Sequence, residues 1–214
     1  MTSVGAKPLS IALHTLQLVN LNLSSNDIGP DGGEAIALWL KDNKSVTSLD
    51  LHNNLFAYGR LHDEVEHMAM ARDLSVTETP LSVQSRTQSF RSPRSHAVYE
   101  ADNRAFAQLA ESIKHHPSLT KLDLRANGFG CAAAELVWAA VEEHPSLQEI
   151  SGIPIDKLKA GEIVDLSLHG GSARGERLWL EAGGCLLLAK LMDKYPTPLT
   201  RLRLTDQKLS CDPT

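Results

Sequence analysis

Histidines grouped with carboxylates are the first residues to weigh, because together they could hold a metal. His62 and His67 stand among Asp63, Glu64 and Glu66. The two histidines are five residues apart, so a helix would turn them to different sides, unlike the i, i+4 pair of a helical zinc site. No metal is expected there. His115-His116 and His144 precede Pro117-Ser118 and Pro145-Ser146. They suit helix C-termini, where the dipole favours a cationic imidazole. Gly170–Gly175 (GGSARG) is rich in glycine but has neither the lysine nor the spacing of a phosphate loop. No nucleophile, base and acid fall into a set. The chain reads as non-enzymatic and without a cofactor.

A second kind of chemistry lies in Ser75–Ser95, SVTETPLSVQSRTQSFRSPRS. Serines and threonines alternate there with Arg86, Arg91 and Arg94. Ser92-Pro93 and Arg86-x-x-Ser89 look like kinase substrate sites. A phosphate on Ser89 or Ser92 would add about −1.5 to −2 of charge beside those arginines. The stretch has little to bury, so residues 75–95 are expected to be disordered, within an insertion spanning 57–100. A short helix is expected in LHDEVEHMAMARDL, ahead of it.

The elements that carry these residues follow from the leucines. In Ser118–Gly130, Leu119, Leu122, Leu124, Asn127, Phe129 and Gly130 keep a fixed spacing. Leu18, Leu21, Leu23, Asn26, Ile28 and Gly29 repeat it, as do Val46, Leu49, Leu51, Asn54 and Phe56. Asn26 and Asn54 are 28 residues apart, and so are Leu119 and Leu147. Weaker copies follow Leu147 (with Ile150), Ile163 (with Leu166 and Leu168) and Leu199 (with Leu202, Leu204 and Leu209). Their asparagine slots hold Ile155, Gly171 and Gln207, which should loosen or redirect those turns. Between copies, Gly33–Leu40, Phe106–His115, Cys131–Glu142 and Ala182–Asp193 space apolar residues at helical steps. Each copy reads as a short strand, a turn and a helix. The leucines make a core, and each asparagine amide satisfies inward-pointing backbone groups.

Over residues 16–209, outside the insertion, this pattern resembles the ribonuclease-inhibitor-like leucine-rich repeat family. That family includes the repeat regions of NOD-like receptors and the Ran GTPase-activating protein. The resemblance implies an α/β leucine-rich repeat solenoid of about six repeats. A curved parallel sheet would line its concave side and helices its convex side. Residues 16–56 and 101–209 would form the two stretches of repeats. Residues 1–15 would be a leader or worn first repeat, and 210–214 a tail.

The balance of composition excludes several classes. A net charge of −5 over 214 residues gives no polyanion-binding signature, so nucleic acid is not an expected partner. No apolar run is long enough for a membrane span. Three scattered cysteines suggest reduced thiols in the cytoplasm, the nucleus remaining open. Cys131 and Cys185 are expected to fill core space. Trp39 and Trp138 are expected to pack on the helical side.

The resemblance places binding on the concave face. Position transfer gives Asp50, His52, Lys121, Asp123, Arg125, Asp165, His169, Arg201 and Arg203 as protein-binding candidates, turning basic toward the C-terminal end. The expected role is a scaffold or adaptor that binds a protein partner through this face and the inserted loop. Two alternatives stand beside it: a structural subunit of a larger assembly, and a contact regulator of a GTPase.

Overall fold

A computed structural model of the chain describes residues 3–57, 103–163, 165–170 and 178–207. The expectations for the 57–100 insertion, including Ser89, Ser92, His62 and His67, lie almost wholly outside these residues. Those for Gly171 and Leu209 do so too.

Leucine spacing sets the first sheet. Strands β1 (Asn20–Asn22), β2 (Ser48–Asp50), β3 (Lys121–Asp123) and β4 (Glu149–Ile150) run parallel in that order. Leu21 pairs with Leu49, Leu49 with Leu122, and Leu122 with Ile150. The strands are short because a turn follows each at once. Helices pack along them in step: α1 (Ser3–Leu13) on α2 (Gly29–Asp42), α2 on α3 (Arg104–Lys114), and α3 on α4 (Cys131–Glu143). Proline in the first turn of α2 suits its start, where an amide hydrogen would have no partner. The buried stripe of α2 is Ile36, Ala37, Trp39 and Leu40; that of α3 is Phe106, Leu109, Ala110 and Ile113.

Between helices and sheet, Phe56, Phe106 and Phe129 stack from repeat to repeat. Their centroids are 6.0 and 5.1 Å apart. Each fully buried leucine or phenylalanine contributes roughly 1.5–3 kcal/mol. Gly33 is small because an added Cβ would lie 2.9 Å from the Ala105 Cβ and 3.1 Å from Phe56. Helix α2 can therefore settle directly on the phenylalanine layer.

The expectation of one sheet through every repeat needs correction. After β4, Ser151 and Gly152 take positive φ (52° and 81°) and turn the chain back. Strand β5 (Ile153–Pro154) then lies antiparallel on β4 and takes its open edge. Ile155, in the expected asparagine slot, is instead a buried residue opening α5 (Ile155–Ala160). Strand β6 (Asp165–His169) pairs with β7 (Arg201–Thr205) in a separate two-stranded parallel sheet. Helix α6 (Glu181–Lys194) joins them and packs on α4. Leu166 and Leu168 reach the common core, whereas Leu202 is 43% exposed.

Two smaller expectations divide. Trp39 is fully buried, and Trp138 is half-buried under Lys190 and Lys194, 5.7 and 6.0 Å from its ring. Cys185 is half-buried, and burial pushes its thiol up. Cys131, expected inside, is exposed, because it is the first residue of α4 and lies off that helix's buried stripe.

The helix ends share one device. Asn43 Oδ1 accepts the N–H groups of Ser45 and Val46 at 2.9 and 2.8 Å. His116 Nδ1 does the same for Ser118 and Leu119, and His144 Nδ1 for Ser146 and Leu147. An imidazole that accepts at Nδ1 must be neutral. Both histidines are buried, and burial lowers both, His116 to about 4. The dipole argument for a cation at these positions is thus overridden by burial.

A pH dependence follows. Unfolded, His116 titrates near 6.5; folded, it takes its proton near 4. The unfolded chain binds the extra proton first, so this stabilisation is whole above pH 6.5 and is lost as pH falls toward 4. A gap of that width corresponds to about 3 kcal/mol. Urea midpoints measured from pH 7 to 4.5 should fall accordingly. His116→Asn, which copies the Asn43 cap, should flatten that slope; an unchanged slope would refute the assignment.

Candidate binding face

The outward side of β1, β2 and β3 is set by strand alternation. Leu21, Leu49 and Leu122 point to the core, so Asn20 and Asn22, Ser48 and Asp50, and Lys121 and Asp123 point the other way. With Leu21 and Leu49 they line a shallow depression of about 270 Å³. His52 and Arg125 lie two residues beyond Asp50 and Asp123, where the turns begin.

Those turns are held by the asparagines. Asn54 Nδ2 donates to the carbonyls of Leu23 (2.8 Å), Leu51 (2.9 Å) and His52 (3.3 Å). Its Oδ1 accepts the Asn26 N–H at 3.0 Å. Asn127 repeats this one layer on, donating to Leu51, Leu124 and Arg125 and accepting from Asn54. Both are fully buried. Their expected structural role is what the geometry shows.

The next rung comes from a residue that the sequence reading passed over. Glu181, at φ 58°, turns its carboxylate onto the Asn127 turn. Oε2 accepts the N–H groups of Asn127 (3.0 Å) and Phe129 (2.9 Å), and Oε1 that of Gly128 (3.1 Å). The Trp179 carbonyl accepts the Ala126 N–H, and Gly183 donates to the Phe129 carbonyl. Ser151 Oγ accepts the Leu124 N–H. One turn is thus closed by two segments about 30 residues apart in the chain. Gln207, expected to loosen its turn, acts as an amide rung: Nε2 donates to Leu168 O and Oε1 accepts the Leu180 N–H.

On this frame five of the nine candidates come together. His52 Nδ1 lies 2.8 Å from Asp50 Oδ1, and Asn22 donates to Asp50 Oδ2 at 3.1 Å. Burial pushes the Asp50 carboxyl up, but the His52 bonds and charge hold it below the usual carboxylate value. The Asp50 hydrogen bond raises the His52 imidazole against the opposing effect of burial. Arg125 forks onto both oxygens of Asp123. Lys121 Nζ reaches Glu149 at 2.8 Å. His52 and Asp123 are each only 7% exposed, so they shape the face from below rather than standing out on it. Lys121 is exposed, and Asp50 and Arg125 are half-buried.

The other four candidates, Asp165, His169, Arg201 and Arg203, lie on the second sheet and are exposed. Arg201 pairs with Asp165 at 3.0 Å, and His169 Nδ1 lies 2.6 Å from Thr205 Oγ1. The hairpin of β5 therefore separates the basic end from the mixed-charge cluster.

The sheet, helices and amide rungs define a repeat architecture with an outward polar strand face. The family model described as Leucine Rich repeat matches residues 17–37, the stretch that carries β1 and the first half of α2. That match supports a leucine-rich repeat protein, of a family whose domains commonly mediate protein–protein interaction and are typically non-enzymatic. A search of curated proteins finds no match.

Proposed function

We propose that the chain is a leucine-rich repeat solenoid of the ribonuclease-inhibitor-like type, acting as a non-enzymatic scaffold or adaptor in the cytoplasm. Its partner is a protein, bound on the strand face of β1–β3 and on the basic pair Arg201 and Arg203. One observation carries this reading. The strand face presents Asn20, Asn22, Asp50, Lys121 and Asp123 around an open depression, while the apolar groups on the other side make the core. Mixed charge around a shallow concavity suits recognition and orientation of a protein surface.

The test uses the full chain as bait. Partners captured by the native protein are compared with those captured by Lys121→Glu and by Arg203→Glu. Both side chains are exposed, so the fold should survive. Reversing a charge at a recognition face should cut capture about tenfold or more, by the cost of juxtaposed like charges. Lys7→Glu, exposed on α1, serves as the control. Equal capture by all four proteins would remove the strand face as the binding surface.

A further inference from the structure

We propose that the outer edge of β7 receives an added strand from a partner, an extended acidic segment in which carboxylates alternate with apolar residues. This rests on the reading that Arg201 and Arg203 face a protein partner, and it states what that partner offers them.

Among the described residues, the sheet of β6 and β7 holds two strands. Its β6 side lies toward the β5 hairpin, where a Cβ on Gly152 would come 3.8 Å from Leu168 Cδ2. Strand β7 is therefore the outer one. Gly170 donates to the Thr205 carbonyl, so Arg201, Arg203 and Thr205 turn their backbone groups toward β6. Those of Leu202 and Leu204 turn outward, where no described strand pairs with them. In the first sheet the matching place is filled. Leu51, which stands in its Leu-x-Leu pair as Leu204 does, donates its N–H to the Asp123 carbonyl of the next strand at 3.0 Å.

The side chains of β7 say what fits. Toward the core, Leu166 and Leu168 are buried, while their partners Leu202 and Leu204 are 43% exposed and half-buried. Apolar residues on an added strand would cover both. On the other face Arg201 and Arg203 are exposed. Asp165 engages Arg201 at 3.0 Å, whereas Arg203 makes no ion pair among the described residues. Like charges directly opposite across strands are destabilising, and opposite charges attract. A second copy is a poor match: its β7 would set arginine against arginine, and its β1 carries the uncharged Asn20 and Asn22. An acidic strand meets the backbone edge, the leucines and Arg203 together, main-chain bonds supplying affinity and alternate side chains specificity.

The experiment titrates the full chain into a labelled, capped peptide that alternates glutamate with valine, read by fluorescence anisotropy. Saturable one-to-one binding is expected. Arg203→Glu in the chain, or glutamine for every glutamate in the peptide, should each weaken it at least about tenfold. A peptide methylated on every amide nitrogen has no donors and should not bind. Lys7→Glu should bind as the native chain does. Hydrogen exchange needs no variant: the Leu202 and Leu204 amides should gain protection when the peptide is added. No saturable binding, equal binding by Arg203→Glu or by the methylated peptide, or protection gained only elsewhere would each overturn the proposal. If the peptide fails while Arg203→Glu still loses captured partners, strand addition falls and the basic pair stands; if that capture is also unchanged, both fall.

Discussion

Asn127→Ala should lower stability by about 3–5 kcal/mol, at the top of the range for single substitutions. The side chain is fully buried and serves four backbone groups. Alanine strands the carbonyls of Leu51, Leu124 and Arg125 and the N–H of Asn54, two of these in the neighbouring repeat. Asn127→Asp has nearly the same shape but faces three carbonyls with no donor, so it should be no milder. Asn26→Ala should cost far less, about 1 kcal/mol, because Asn26 is half-buried at the first rung. Thermal scans would read the contrast, since about 3–5 kcal/mol shifts Tm by roughly 10 °C in a chain of this size. Asn127→Ala melting within a degree or two of the native protein would sink the account of the rungs.

Glu181→Ala should be comparably damaging, and Glu181→Gln intermediate. The carboxylate accepts three N–H groups from one turn and holds α6 against α4 through it. Alanine removes all three bonds. Each stranded donor costs about 1–3 kcal/mol where water cannot replace the acceptor. Gln can keep an oxygen for Asn127 and Phe129, but its NH2 then confronts the Gly128 N–H. The expected order of urea midpoints is native, Gln, then Ala. Hydrogen exchange supplies a local check: the Asn127 and Phe129 amides should lose protection in Glu181→Ala before the β1–β2 amides do. Uniform loss across the molecule, or none, would contradict the closing role of this carboxylate.

What could be read from residue order had local causes. Leucines at fixed spacing mark strands because each must face one core. Asn54 and Asn127 mark turns because one amide side chain there donates to several carbonyls and accepts an N–H from the next layer, and Asn26 marks the first turn by donating to two carbonyls. The helices were legible from apolar residues at three- and four-residue steps: three of the four expected spans end within two residues of the observed ones, and α2 begins four residues before the expected Gly33.

The remainder depended on neighbours distant in sequence. Glu181 is invisible as a rung because the turn it serves lies more than 50 residues upstream; a glutamate opening a helix ordinarily reads as a dipole partner. Ser151-Gly152 is a turn dipeptide, yet the leucine-like period around Leu147 and Ile150 suggested that the repeat would continue. The burial of His52 and Asp123 needs the approach of repeats whose asparagines are 73 residues apart. Strand alternation alone turned both side chains to solvent. Position on the face was therefore readable, but depth within it was not.

The carboxylate rung also sets an order of events during synthesis. The Asn127 turn leaves the ribosome with three N–H groups open, and the oxygens that accept them are made 54 residues later than Asn127 itself. At about 5–20 residues per second, that delay is roughly 3–11 s. Loops of this length close far faster than they are translated, so the wait is set by translation rather than by diffusion. The nascent chain can stack its first three layers while their last seam stays wet. Glu181 then arrives as the clasp on a garment already worn.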